Sequence, residues 1–431
     1  VAVFSTSWAL PFLSILIFSG LPFVGLSARA ISTTLENPSV RVRMETKIKK
    51  LDFEAVGLQI RGREQLYDLI AIPHSEEVSV ERVVVPAATG IARKMAWKIT
   101  CSGHEQLIFD RYLLMKNISM RKGGRFYPNQ VILSGHQGKE QKTDQQTFDV
   151  IGVLPLENYL VGVVASEMPL SWPIEALKAQ AVAARSYTLV SMRERAGQIF
   201  HVESNILDQV FTHISQHQEE SGLTAKAKEA VMGTEGLVLV GPKHQVLKAY
   251  YHSDCGGKTS NAASIWGYGV STGTAVDSWC PSNPKAHWSF EISQKSLSEK
   301  LQKFAAHPME SVIALVAIRP SAEDRVEKMK IQWQSGGQTE EKTIMAAQFR
   351  EAMGFDQMRS TFFDLQKKDS EYLFIGQGFG HGVGLCQWGA KAQAKAGRSY
   401  MDILKHYYPR AETQLLKSRL ARQFEDSEAQ N

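Results

Sequence analysis

The fold is decided by the run Val153-Leu154-Pro155-Leu156-Glu157-Asn158-Tyr159-Leu160, which continues to Glu167-Met168-Pro169 and is followed by Pro173-Ile174-Glu175-Ala176. The residues before Pro155, from Phe148 to Val153, read as a strand. A helix is expected from about Pro155 to Glu167, stopped by Pro169 because the residue ahead of a proline disfavours helical backbone. A second helix is expected from about Pro173 to Arg195, with proline suited to its first turn. Its Ala176, Ala179, Ala181, Ala183 and Ala184 allow a neighbouring element to approach closely, and good helix propensity explains them equally well. On the first helix, positions 156, 160, 163 and 167 share a face. Leu156, Leu160 and Val163 make it apolar, and Glu167 closes it at the helix C-terminus. An apolar surround and an unfavourable helix dipole both raise a carboxyl pKa, as a general acid near neutral pH requires. A helix-end glutamate turned to water is the plainer alternative. Glu157 and Glu175, each two residues after a proline at a helix start, suit the dipole and read as structural.

Upstream, Val40–Met44 and Trp97–Cys101 alternate apolar and polar residues, the mark of half-buried strands. Residues 38–120 are therefore expected to be β-rich, with a turn at Arg121-Lys122-Gly123-Gly124 and a polar loop from Gly135 to Thr147. Downstream, Leu237–Val240 and Gln245–Tyr251 read as a hairpin, and residues 290–370 as an accessory insertion. Helices are expected at Gln387–Ala396 and Tyr400–Tyr408, the latter opened by Ser399 with Asp402. The overall expectation is an α+β chain, with mixed helices and antiparallel strands around a groove and a β-rich N-terminal region. Its divisions are 1–30 signal peptide, 31–120 β-rich region, 121–412 main domain with an insertion at about 290–370, and 413–431 charged tail.

The signal peptide rests on the apolar run Leu10–Leu26 followed by Ala28-Arg29-Ala30, with a retained membrane anchor as the alternative. Export to the periplasm or cell wall follows from it. The 431 residues carry a formal charge of only +5, scattered without a basic block, so nucleic acid is not an expected partner. Membrane association is expected only if the N-terminal segment is retained.

Other motifs are mostly negative. Gly256-Gly257-Lys258-Thr259 lacks the earlier glycine of a phosphate loop, with His252 in its place. Gly376, Gly378, Gly380, Gly382 and Gly384 fit no dinucleotide pattern. On an extended segment they would form a floor for a flat ligand, with His381 pointing the other way. Cys101, Cys255, Cys280 and Cys386 permit three complete pairings. A Cys255–Cys280 disulfide and a zinc site built from His252, Cys255, Cys280 and His287 both remain open.

Three stretches together resemble the stage II sporulation protein D family, which includes the amidase enhancers. They are Val153–Tyr187 with Ser166-Glu167-Met168-Pro169 inside it; His252-Ser253-Asp254-Cys255-Gly256-Gly257-Lys258-Thr259 with Trp266-Gly267; and Gly380-His381-Gly382-Val383-Gly384-Leu385-Cys386-Gln387-Trp388-Gly389-Ala390. The resemblance covers about residues 145–410. It implies a peptidoglycan lytic transglycosylase acting on peptide-free glycan strands and leaving 1,6-anhydro-N-acetylmuramic acid ends, with Glu167 as catalytic acid/base. It also implies that Arg185, Tyr187, His252, Ser253, His381 and Gln387 line the groove. Charge matching suggests Arg185 for the substrate's lactate carboxylate. No cofactor is expected and no metal ligand is assigned. A zinc site occurs in some relatives, but its ligand pattern does not map onto this chain. The partners implied are peptidoglycan glycan strands and an N-acetylmuramoyl-L-alanine amidase. A non-catalytic enhancer that holds glycan for such an amidase is the rival reading. An exported zinc hydrolase lacks a metal-binding helix motif. Two positions depart from the family, which usually has Ser at Cys386 and Tyr at Trp388.

Overall fold

The computed structural model describes residues 38–416, apart from 63–75, 87–92, 119–120, 123–124, 137–145, 215–221, 223, 270–272 and 281–282. The expected signal peptide, the glycines of the 121–124 turn, most of the 135–147 loop and residues 417–431 lie outside this set.

The chain is α+β. Strands β1 (Ser39–Ile48), β2 (Lys50–Gly62), β3 (Glu76–Pro86), β4 (Arg93–Cys101), β5 (His104–Ile108) and β6 (Tyr112–Ile118) come first. After a two-stranded ribbon, β7 (Arg121–Lys122) and β8 (Arg125–Phe126), follow β9 (Gln130–Gly135), β10 (Phe148–Pro155) and β11 (Val202–Glu203). Nine of these strands form one sheet in the order β11-β1-β10-β9-β6-β2-β3-β4-β5. All its pairings are antiparallel except β1 with β11. Alternation in β1 and β4 buries Val40, Val42 and Met44, and Trp97, Ile99 and Cys101, as the period-2 pattern requires. The sheet crosses the expected boundary at residue 120, because β6 pairs with β9.

Strand β10 runs straight into α1 (Leu156–Glu167), with Pro155 as its N-cap. Next come α2 (Ile174–Glu194) and α3 (Ala225–Met232). Helix α1 is apolar nearly all round and is enclosed accordingly. The five alanines of α2 are fully buried, and α1, α3 and two C-terminal helices, α7 (Gln387–Lys395) and α8 (Tyr400–Tyr407), pack against α2. Close approach is therefore what those small side chains provide.

Two expectations change downstream. Strand β12 (Leu237–Val240) pairs along its length with β21 (Glu412–Leu415). The expected hairpin is present but short: Gly241 N–H donates to the Gln245 carbonyl, Leu247 N–H donates to the Leu239 carbonyl, and Val240 bridges Val246. The expected tail from residue 413 therefore begins inside a paired strand. Tyr251–His252 (β13) instead pairs in parallel with Leu385–Cys386 (β20), bringing the second and third sequence motifs side by side.

Between them, after the short α4 (Ala262–Trp266), lie β14 (His287–Ser293), α5 (Gln294–Leu301), β15 (Ser311–Ile318), β16 (Lys328–Ser335), β17 (Gln338–Met345), α6 (Ala346–Met353), β18 (Phe363–Lys368) and β19 (Glu371–Gln377). They enclose their own core around Leu297, Ile331, Phe349 and Phe374. Two surface clefts lie on this region, one along Ile313–Ala317 and one beside His287 and Phe362, and neither includes Glu167.

The glycine-rich run is not an extended floor. Gly378, Gly380, Gly382 and Gly384 all have positive φ, between 71° and 109°. A Cβ on Gly384 would lie 2.0 Å from the Tyr250 carbonyl oxygen. These glycines let the run press against residues 250–256, a conformation and a clearance that other residues lack.

Candidate functional site

Glu167 ends α1, and three elements distant in sequence converge on it. The Val210 backbone N–H donates to Oε1 at 2.7 Å. The Tyr251 hydroxyl from β13 donates to the same oxygen at 3.4 Å. The Gln387 amide, from the first residue of α7, donates to Oε2 at 3.2 Å. Glu167 as a whole residue is half-buried. Burial pushes its pKa up, more than the three donors pull it down. This is the combination needed by a group that must carry a proton and still reach a ligand.

The Val210 loop is fixed from beneath. Gln209 is fully buried. Its Oε1 accepts the Tyr159 hydroxyl at 2.9 Å and the Thr188 hydroxyl at 2.7 Å, and its amide donates to the Ala184 carbonyl. Asp208 accepts from Tyr187 and from Arg195. The loop also crosses α1 closely at Gly162, where a Cβ would stand 2.5 Å from the Phe211 ring and 2.6 Å from the Thr212 carbonyl oxygen.

The segments that carry Glu167 and Gln387 each add a tryptophan. Trp172 follows the Glu-Met-Pro turn, and Trp388 follows Gln387. Their rings meet edge to face with centroids 5.2 Å apart. Lys391, one turn along α7, places Nζ 3.9 Å from the Trp388 centroid and 4.8 Å from that of Trp172. Sequence reasoning passed over Trp172, Gln209, Val210, Tyr251 and Lys391. Tyr251 ended an expected strand just ahead of the quoted His252 motif, and Trp388 lay inside the third motif. Gln209 and Val210 carried no sequence signal.

The contact candidates divide. Gln387 touches Glu167. Arg185 does not reach any groove: its side chain is fully buried and its guanidinium is engaged by Glu157 at 2.8 and 2.6 Å and by the Leu237 and Val231 carbonyls. The assignment of Arg185 to substrate is therefore corrected. Glu157, expected to serve the helix dipole, is its ion-pair partner. Glu175 binds Lys178 and accepts the Tyr400 N–H at the start of α8. Tyr187 is buried with its hydroxyl committed to Asp208, which makes it a support for the Val210 loop.

His252 and His381 form a separate group. Strand alternation sends Tyr251 to Glu167 and its neighbours the other way. The His252 and His381 ring centroids are 5.5 Å apart, and Trp266 and Tyr250 pack on His381. His252 is buried, and burial lowers its pKa to about 3. Its Nδ1 faces the Val383 carbonyl at 3.2 Å. His381 is partly exposed, and its Nδ1 accepts the Val383 N–H. Ser253 enters through its carbonyl, which accepts the Trp388 N–H at 3.1 Å.

None of the four cysteines is in a disulfide. Cys255, Cys280 and Cys386 meet with Asp277 in one buried group whose ligand atoms all lie within 4.8 Å of one another. The expected Cys255–Cys280 disulfide is not formed, and the zinc set with His252 and His287 is not assembled. His287 is exposed on β14, while Cys386 and Asp277 take the places given to the histidines. Beside them, burial and Cys280 lift Asp254 to about 7.

Among the described residues, no helix is long and apolar enough to cross a membrane. A family model described as a stage II sporulation protein matches residues 144–240. A second, described as a domain of unknown function, matches residues 281–384, the segment holding the second core. The chain is 32% identical over 267 residues to stage II sporulation protein D of Bacillus amyloliquefaciens, covering 59% of this chain and 73% of that protein. It is 30% identical over 264 residues to an uncharacterized protein of Brachyspira hyodysenteriae, covering 61% of this chain and 67% of the relative. Similarity to the amidase enhancer of Bacillus subtilis is 27%, over 58% of this chain and 39% of that protein. This chain thus belongs to the stage II sporulation protein D and amidase enhancer family.

Proposed function

We propose that this chain acts on the glycan of the bacterial cell wall, as a lytic transglycosylase that cleaves peptide-free strands with Glu167 as its only acid/base. Family membership carries the cell-wall role. The finer reading rests on one observation: a carboxyl with a raised pKa, on a half-buried residue at the end of α1, held by Val210, Tyr251 and Gln387. Ordinary glycosidases need two carboxylates. A transglycosylase manages with one because the sugar brings its own nucleophile. Neutral Glu167 gives its proton to the oxygen linking N-acetylmuramic acid to the next N-acetylglucosamine, and that bond breaks. The ionised Glu167 then takes the proton of the C6 hydroxyl while O6 closes on C1, and a 1,6-anhydro end results.

Gln387 supports both states of the acid. As drawn, its amide N–H donates to Glu167 and lies 3.5 Å from Gln180 Oε1, leaving Gln180 Nε2 without a partner among the described residues. Rotating both amides by 180° keeps the Gln180–Gln387 contact, satisfies Gln180 Nε2 and presents an acceptor oxygen to a protonated Glu167. Amide orientation is set by the network, so either form is open to this pair. Trp388, half-buried, offers an apolar face for a sugar ring, with the buried Trp172 packed against it. With Arg185 internal, Lys391 becomes the cation for the lactate carboxylate, and Ser253 and His381, both partly exposed, are outer contacts.

The enhancer reading is favoured by the relative named amidase enhancer. Mass spectrometry of peptide-free strands incubated with the protein separates the two. Anhydro ends support cleavage. Intact strands, together with faster release of stem peptides by an added N-acetylmuramoyl-L-alanine amidase, would replace it with the enhancer role.

A further inference from the structure

We propose that Cys255, Asp277, Cys280 and Cys386 form a tetrahedral structural zinc site that fixes the start of α7 and, through it, Gln387 against Glu167. The four ligands come from three places in the chain: the turn after β13, the 277–280 turn and the N-terminus of α7. Cys280 Sγ and Cys386 Sγ are 3.5 Å apart, and Cys255 Sγ and Asp277 Oδ2 are 3.2 Å apart. Around zinc, bond lengths of about 2.3 Å to sulfur and about 2.0 Å to oxygen give tetrahedral edges of roughly 3.8 and 3.5 Å. These two edges need a few tenths of an ångström of relaxation, and the widest separation in the group, up to 4.8 Å, must close by about 1 Å.

The surroundings suit thiolates at Cys255 and Cys386, whereas Cys280 Sγ donates to Asp254 Oδ1 at 3.0 Å and gives up that contact when an ion binds. Gly257 N–H points to Cys255 Sγ at 3.3 Å, Cys255 N–H to Cys386 Sγ at 3.3 Å, and Gly389 N–H to Cys386 Sγ at 3.4 Å. Two buried amides and one part-buried amide would otherwise depend on thiol sulfur, a weak acceptor. Cys386 is also the N-cap of α7, where the helix dipole favours negative charge. Tyr407 donates to Asp277 Oδ2 at 2.8 Å, the kind of outer hydrogen bond that orients a ligand carboxylate.

Charge gives an independent argument. Arg325 is 4% exposed. Its Nη2 donates to the Cys255 carbonyl at 2.6 Å, while Nε and Nη1 have no partner among the described residues. Beside three neutral thiols this is a buried cation short of compensation, which is costly. Three thiolates and one carboxylate around a dication leave two negative charges. Arg325 then faces an anionic centre. Binding releases the three thiol protons, and no electron changes hands. A disulfide would use two of the three sulfurs and leave the third, with Arg325, unaccounted for. The departure at Cys386 thus reads as a ligand gained rather than a hydroxyl lost.

The site stands independently of whether Glu167 is the acid/base, so its test reads metal and not turnover. Full-length protein purified under reducing conditions without chelator should carry about one zinc per chain by elemental analysis. Exchange for cobalt should give a thiolate-to-metal charge-transfer band and strong visible bands. Cys280→Ser and Cys386→Ser should lose the ion, while Cys101→Ser keeps it. If the ligand variants fail to fold, the wild-type chain still decides: chelation should release the ion, make three thiols reactive and lower the thermal midpoint. Reduced protein that takes up neither zinc nor cobalt, thiol reactivity unchanged by chelation, or peptide mapping that finds a Cys280–Cys386 disulfide in the purified chain would each overturn the proposal.

Discussion

The backbone N–H of Val210 donates to Glu167 Oε1 at 2.7 Å across 43 residues of sequence. One acidic side chain at the end of α1 thereby depends on a loop whose own anchors, Gln209 and Asp208, are gripped by Tyr159, Thr188 and Tyr187 from α1 and α2. The predictions below follow from that dependence and from what surrounds it.

Glu167→Gln should abolish anhydro-end formation by about 10²–10⁴-fold or more while binding to peptide-free strands persists. A pH series supplies a second readout. Burial raises the carboxyl's pKa in the folded chain above its unfolded value, so ionised Glu167 costs stability once pH passes the folded value. Glu167→Gln should therefore melt higher than wild type at neutral and alkaline pH, with the gain vanishing below the ordinary carboxylate range. Wild-type turnover should fall as pH rises through the folded value. Equal melting curves at every pH would refute the strained-acid account.

Gly162→Ala should displace the Val210 loop. The added methyl meets the Thr212 backbone and the Phe211 ring, at a cost of about 1–3 kcal/mol for overpacking. Turnover should drop more than stability explains, and the Glu167 pKa, read from the pH profile, should climb as the Val210 hydrogen bond lengthens. An unchanged profile would mean that the loop plays no part in holding the carboxyl.

Arg185→Met should damage folding rather than substrate affinity. It leaves Glu157 buried without its bidentate partner, a loss of roughly 3–5 kcal/mol. Arg185→Met combined with Glu157→Leu should recover much of that loss in thermal melts. A stable single variant with weakened glycan binding would restore the groove assignment.

Lys391→Met should weaken binding to denuded strands, and the effect should shrink as salt rises, because an exposed cation–carboxylate contact is screened. Strands with the lactate carboxyl reduced to an alcohol should bind wild type and variant alike. A variant that binds unreduced strands as tightly as wild type would remove Lys391 from the site.

The local patterns alone determined α1, α2, α7 and α8. Proline positions, apolar spacing and the Ser399–Asp402 cap are short-range signals, and helices form from short-range bonds. They also singled out Glu167, because a carboxyl closing an apolar stripe at a helix C-terminus is visible in one segment. The division of labour among the other motif residues was decided only in three dimensions. Arg185 and Gln387 look equally ready for substrate in the sequence. One is sealed between α1, α3 and β12, and the other opens α7 beside the carboxyl. The glycine run looked extended, but its φ values are dictated by how closely it must pass residues 250–256. The hairpin at β12 was legible but short, and its longer partner, Glu412–Leu415, lies about 170 residues away. Cys255, Asp277, Cys280 and Cys386 show no ligand spacing, since a tetrahedral site needs only that four atoms meet and the chain supplies them from turns more than 100 residues apart. Burial, charge compensation and partner choice are properties of the packed chain, and no single segment contains them.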